Sequence, residues 1–152
     1  EYIPCQVTLT GIGKVEHLDN AGSVPVAPVG GVVSRQAYML RIPLDFEYEK
    51  EIVEGTYYEY VLTDTIANIQ IISLTAYDES HPAGTDVNEL FMDYPLRQED
   101  QLTDYKYGCM YGTVFYKIPR TLPQAGVHRF KVVVTTRKGE EFTKETDEIT
   151  MQ

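Results

Sequence analysis

Apolar side chains recur at every second position from Tyr38 to Tyr48: Tyr38, Leu40, Ile42, Leu44, Phe46 and Tyr48. Met39, Arg41, Pro43, Asp45 and Glu47 stand between them, and Glu49 and Glu51 continue the polar series. Alternation with period two puts the first set on one face of a strand and the second on the other, whereas a helix would scatter both sets around its axis. This segment is predicted to be a long strand with one buried face. Pro43 has no N–H to give to a ladder, so it points to an edge strand or a bulge. The acidic comb Asp45, Glu47, Glu49 and Glu51 reads as a solvated strand face whose charges oppose edge pairing, rather than as a cation site.

A hairpin is predicted near the C-terminus. His128, Phe130, Val132 and Val134 alternate with Arg129, Lys131, Val133 and Thr135, and the run Glu140 to Asp147 follows after Arg137-Lys138-Gly139. A three-residue loop ending in glycine suits a type I turn followed by a left-handed residue. It sets Phe142 opposite Val134, Lys131 opposite Glu145 and Arg129 opposite Asp147. A two-residue loop would lose both charge pairs. Each pair contributes only about 0.2 to 1 kcal/mol, so agreement between turn and register is the stronger argument. Ile149 and Met151 fall out of phase with Phe142, which predicts a bulge near residues 146–148.

Shorter signals complete the pattern. Val7 and Leu9 mark a first strand broken by Gly11 and Gly13. Residues 24–31, with Pro25, Pro28, Gly30 and Gly31, read as an extended connection within a loop-rich stretch near residues 19–36. Tyr58, Tyr60 and Leu62 alternate in one strand; Ile69, Ile71, Leu74 and Ala76 suggest another, after a turn at Asp64 and Thr65. Asp86-x-x-Glu89 is a capping-box variant, and Val87, Leu90 and Phe91 share a helical face, so one short helix is expected over residues 86–93. Tyr111, Thr113, Phe115 and Lys117 give a strand stopped by Pro119. About seven strands with one minor helix predict an all-β, immunoglobulin-like antiparallel β-sandwich, a single domain over residues 1–152.

Composition narrows the classes of function. The chain of 152 residues carries 13 Lys plus Arg against 23 Asp plus Glu, a net charge of -10. That surface repels phosphate backbones and anionic lipid, so nucleic acid and direct membrane docking are disfavoured. Cys5 and Cys109 lack zinc or redox spacing. They could close one disulfide loop of about 100 residues, worth roughly 4 to 5 kcal/mol in the chain-entropy reading, or remain reduced thiols. The sequence begins Glu1-Tyr2-Ile3-Pro4 without methionine, and a processed product is expected.

Motifs for catalysis are few. Gly11-Ile12-Gly13-Lys14 lacks the spacing of a phosphate loop, and no H-E-x-x-H, G-x-S-x-G or EF-hand pattern occurs. His17, His81 and His128 are isolated in sequence. His128 lies on an inward face, where a hydrogen-bonded core histidine is expected; His81 sits in a turn near Asp78, Glu79 and Asp86 that reads as a solvated loop. Cys109 has no local feature that would activate its thiol. No enzyme, cofactor or metal is expected. The 12 tyrosines are more suggestive: Tyr57, Tyr58 and Tyr60 cluster once, and Tyr105, Tyr107 and Tyr111, with Tyr116, cluster again. One member of each cluster must face outward on an alternating strand, and exposed tyrosine offers contact area for a protein or a sugar.

The stretch Pro123-Gln124-Ala125-Gly126-Val127-His128-Arg129-Phe130-Lys131-Val132, followed by Arg137-Lys138-Gly139-Glu140, resembles the closing hairpin of bacterial immunoglobulin-like domains. His128 stands where such domains often carry a corner tyrosine. With Asp78-Glu79-Ser80-His81-Pro82-Ala83-Gly84-Thr85-Asp86 and the strand from Tyr38, the chain resembles the small uncharacterised immunoglobulin-like exported lipoproteins of Bacteroidetes. That resemblance implies an exported protein in the periplasm or on the outer-membrane surface, tethered through a lipidated cysteine upstream of Glu1. It implies a non-catalytic envelope binding or assembly module, with a pilin- or adhesin-like subunit or a glycan-binding accessory as alternatives. A protein or glycan partner and a monomeric state are expected.

Overall fold

The structure, a computed structural model, describes residues 2–94 and 114–152. It is an all-β sandwich. Its strands are β1 (Ile3–Ile12), β2 (Glu16–Asp19), β3 (Val32–Val33), β4 (Tyr38–Tyr48), β5 (Tyr58–Leu62), β6 (Ile66–Ser73), β7 (Phe91–Asp93), β8 (Val114–Pro119), β9 (Gly126–His128), β10 (Phe130–Thr136), β11 (Glu141–Glu145) and β12 (Ile149–Met151). One layer runs β5-β1-β4-β8-β7, with β2 continuing the line of β1 along β4. The other consists of β11-β10-β6 and, where the same chain lines run on, β3-β12-β9.

Strand β4 organises the first layer as its periodicity dictates. Tyr38, Leu40, Ile42 and Leu44 are buried, Phe46 packs against the same cluster, and Asp45 and Glu47 are exposed. From the facing layer Ile71, Phe130, Val132, Val134 and Ile149 join that cluster. Met39 points to the opposite face and is nonetheless fully buried.

Pro43 sits in a central strand, paired on both sides, so the edge-strand alternative does not hold and the bulge does. The Pro43 carbonyl accepts the Gly13 N–H at 2.8 Å. In an extended residue the nitrogen faces the same side as the carbonyl, so the missing donor falls at the break between β1 and β2. The register slips by one residue there, from Ile12 opposite Leu44 to Glu16 opposite Arg41. Gly13 is required by close approach: a Cβ on it would lie 3.0 Å from Pro43 Cγ.

The C-terminal hairpin adopts the expected register. Val134 faces Phe142 and Lys131 faces Glu145. Gly139 takes a positive φ of 93° at the end of the loop. The ladder then stops at Thr146, whose Oγ1 accepts the Phe130 N–H at 3.0 Å. Arg129 therefore pairs diagonally with Glu145 at 3.2 Å instead of meeting Asp147. The phase change at Ile149 is more than a bulge: the chain switches partners, and β12 pairs with β9 and, in parallel, with β3. His128 supplies the corner bond expected of a tyrosine, its Nε2 donating to the Gln124 carbonyl four residues back at 2.7 Å.

Three further expectations are corrected. The helix over residues 86–93 is a single 3-10 turn, Asn88–Leu90, followed by β7. The Asp86 carboxylate accepts the N–H groups of Asn88 and Ile71, so it ties the turn to β6 instead of opening a helix. Leu74 and Ala76 lie beyond β6, whose start is Ile66. The sheets are mixed, because β5 runs parallel to β1 and β3 parallel to β12. Residues 49–57 strap across the start of β1 to make the first of these possible: Gln6 accepts from the Glu49 N–H at 2.9 Å, and Lys50 Nζ donates to the Pro4 carbonyl at 2.6 Å.

Candidate functional site

The parallel pairing of β5 with β1 gathers the first tyrosine cluster at one end of the molecule. Tyr58 lies opposite Ile3 and Tyr60 opposite Cys5, so both rings share the face on which Cys5 and Val7 are buried. Tyr48 joins them from β4, with ring centroids 5.7 Å from Tyr60 at an interplanar angle of 76°. Tyr58 and Tyr60 are 5.9 Å apart and tilted by 36°. Cys5, opposite Tyr60 on this face, is a buried free thiol. The Tyr58 hydroxyl is committed to folding: it accepts the Val53 N–H at 3.1 Å and donates to the Glu51 carbonyl at 3.2 Å.

Tyr57 has a different role. It is 70% exposed and meets Tyr2, itself 63% exposed, edge to face at 5.8 Å and 73°. Ile3, Ile52, Val53 and Val61 are exposed as well. Glu49, Glu51, Glu54 and Glu59, which lie near them in sequence, are exposed carboxylates, while Lys50 is held by the Pro4 carbonyl and by Glu49 at 3.0 Å. An exposed pair of tyrosine rings is the kind of feature an interaction surface uses. Tyr2, Ile52 and Val53 escaped the sequence reading, because none belongs to an alternating run. The meeting of Tyr2 with Tyr57 follows from the parallel β1–β5 pairing, whose first bond is Ile3 N–H to the Tyr57 carbonyl at 2.9 Å, and nothing local in the sequence announces it. Tyr105, Tyr107, Tyr111 and Cys109 lie outside the described residues.

The histidines are built into the fold. His17 on β2 clasps the two layers: one ring nitrogen bonds the Tyr38 hydroxyl at 2.6 Å and the other the Asp147 carbonyl at 2.7 Å. A carbonyl only accepts, so Nε2 carries the hydrogen and Nδ1 accepts from Tyr38. Burial lowers the His17 pKa, against the opposing pull of the Asp147 carbonyl and carboxylate. Burial likewise raises the Tyr38 hydroxyl far above its ordinary value and lowers His128. Beside His17 lies an open cleft of about 180 Å³, lined among others by Lys14, Glu16, Pro28 and Glu148. His81 bonds the Asp78 carboxylate at 2.7 Å, and this bond is the main reason the Asp78 pKa is lowered. Asp78 also accepts the Ser80 N–H, so the pair fastens a turn. Among the described residues no group of three or more His, Cys, Asp or Glu side chains is placed to hold a metal ion, and no helix is long and apolar enough to cross a membrane.

Fold and site together define an all-β sandwich with an exposed aromatic end. The chain belongs to a family described as a domain of unknown function (DUF5034), which matches residues 12–147. The matched span thus takes in Tyr57, Tyr58 and Tyr60 and leaves out most of β1. No curated protein and no solved structure matches the chain.

Proposed function

We propose that the protein is a non-catalytic binding or assembly module of the cell envelope, exported, and held there by a lipidated cysteine upstream of Glu1. Its contact surface is the end that carries the exposed pair Tyr2 and Tyr57. The observation that carries this reading is the exposed pair Tyr2 and Tyr57, 63% and 70% exposed, whose rings meet edge to face at 5.8 Å. Tyrosine suits the task because a large, stiff ring loses little entropy on binding. The chemistry favours a protein partner over a sugar. A sugar platform needs rings lying in one plane, whereas the pairs here are inclined by 36° to 76°. The pilin- or adhesin-like alternative draws on the outermost position of β5 in its sheet, which is where an added strand would pair.

A glycan-array screen of the purified protein separates these readings. The expected result is no selective glycan binding. Selective binding that is lost in Tyr57→Ala or Tyr58→Ala would replace the protein partner with a sugar. Metabolic labelling with a fatty acid in cells expressing the full-length precursor tests the anchor, and an unlabelled product would remove the lipoprotein assignment.

A further inference from the structure

His17 stands where both layers of the sandwich are interrupted. In one layer the line of β1 and β2 breaks at residues 13–15; in the other the chain leaves β10 after β11 and pairs with β9 and β3 as β12. The ring spans this double break, accepting from the Tyr38 hydroxyl at Nδ1 and donating from Nε2 to the Asp147 carbonyl. Asp147 lies between β11 and β12, so the second bond holds the point at which the chain changes partners. Its neighbour Thr146 is tied to β10 through its own N–H on the Phe130 carbonyl at 2.8 Å.

The cleft of about 180 Å³ adjoins this ring. At about 30 Å³ per water it has room for roughly six waters, more than an imidazole ring needs. The titratable and charged groups about His17 are Tyr38 from β4, His128 from β9, Asp147 and Glu148 from the β11–β12 connection, and Lys14 and Glu16 from its own stretch of chain. They divide sharply. Inward lie the Tyr38 hydroxyl, the Phe130 ring at 6.4 Å and the influence of His128, which suit a neutral imidazole and oppose a charged one. Outward, three carboxylates face one ammonium, and Glu16 is shared with Arg41 at 3.2 Å. An imidazolium gains from such neighbours, and in an open cleft it keeps its water. Burial is the main influence that lowers the His17 pKa in its present seat, and the Asp147 carboxylate pulls the other way.

We propose that His17 is an acid-operated latch: on taking up a proton its ring leaves the Tyr38 hydroxyl, turns into the adjoining cleft among the carboxylates, and releases the Asp147 carbonyl. The seam at residues 146–148 then loosens while the paired strands β6, β10 and β11 stay together. The folded protein thus has two arrangements of one seam, chosen by pH, whatever the tyrosine end binds. A single proton sets the choice, so the balance between them shifts about tenfold per pH unit.

Side-chain NMR of the folded protein between pH 7.5 and about 5, combined with amide hydrogen exchange corrected for the intrinsic rate at each pH, reads both halves of this device. At pH 7.5 His17 is expected as the Nε2–H tautomer with nuclear Overhauser contacts to Tyr38. On protonation those contacts are expected to give way to contacts with Pro28 and Glu148. Protection of the Thr146 N–H is expected to fall about tenfold per pH unit below the midpoint, while the amides between β6 and β10 keep theirs. His17→Gln takes up no proton there and is expected to hold Thr146 protection constant. Glu148→Gln, at an exposed position, is expected to move the midpoint to lower pH, because it removes one of the charges that receive the ring. Contacts to Tyr38 that persist in the imidazolium, or protection lost equally at Thr146 and between β6 and β10, would overturn the proposal. So would a loss that survives in His17→Gln, or a midpoint unmoved in Glu148→Gln.

Discussion

Lowering the pH from 7.5 to about 5 attacks the His17 clasp directly, since an imidazole titrates in that range. Both ring nitrogens of His17 are engaged in the neutral form, at 2.6 Å to Tyr38 and 2.7 Å to the Asp147 carbonyl. A proton on Nδ1 would have to be accepted by the Tyr38 hydroxyl, whose own hydrogen would then be stranded in the core. His128 is also held below its ordinary value by burial. Between those lowered values and about 6.5 the unfolded chain therefore binds more protons than the folded one, so stability rises with pH and is lost as pH falls below about 6.5. The loss levels off once the folded imidazoles themselves take up protons. Each contributes a slope of at most about 1.4 kcal/mol per pH unit, or about 2.7 for the two. The lowered carboxylates Glu49, Asp64 and Asp78 act below about 4.5, outside this window. Urea denaturation at half-unit pH steps measures the slope, provided that the m-value stays constant. His17→Gln should halve it. A flat wild-type profile between pH 7 and 5, or an unchanged slope in His17→Gln, would refute the assignment of His17 as a buried neutral clasp. At pH 7 Tyr38→Phe should cost about 1 to 3 kcal/mol, because it strips the donor from a buried acceptor.

Other substitutions probe the frame. Gly13→Ala should lower the denaturation midpoint by an amount equivalent to about 1 to 3 kcal/mol, as its methyl group would press on the Pro43 ring at 3.0 Å. Gly126→Ala should cost a similar 1 to 3 kcal/mol, roughly, because φ there is 129°, which suits only glycine. Lys117 is buried and bonds the exposed Asp93 at 2.8 Å. Asp93→Ala should destabilise by about 1 to 3 kcal/mol by leaving the ammonium without its partner, whereas Lys117→Met should be neutral or stabilising. Thermal denaturation followed by circular dichroism ranks all four, and equal losses for Asp93→Ala and Lys117→Met would contradict the desolvation argument.

Features written in one continuous rhythm were legible from sequence. Strand β4 and the hairpin register of β10 with β11 both follow from period-two alternation, and the turn at Gly139 fixes the second. What escaped involves partners distant along the chain. Val87, Leu90 and Phe91 satisfy a helical spacing, yet the Asp86 carboxylate bonds Ile71, fifteen residues earlier, and Phe91 begins a strand. Ile149 leaves the phase of Phe142 because β12 joins β9 and β3, a switch that local alternation records only as a break. Pro43 fits a central strand because the chain opposite it is already broken at Gly13. At the site, Tyr57, Tyr58 and Tyr60 were visible as a cluster. Their division into one exposed ring and two half-buried rings on the Cys5 face depends on the parallel β1–β5 pairing, as does the meeting of Tyr2 with Tyr57. The His17 clasp joins residues 130 apart, and no local pattern foretells it.

Photo-crosslinking in intact cells, with benzoylphenylalanine in place of Tyr57 and, as a control, in place of Glu145, tests most directly whether the tyrosine end binds protein. The expected result is a discrete protein adduct from position 57 that disappears when Val53→Asp is added, with none from position 145. Equal labelling from both positions, or no adduct from position 57 in cells that display the folded protein, would contradict it.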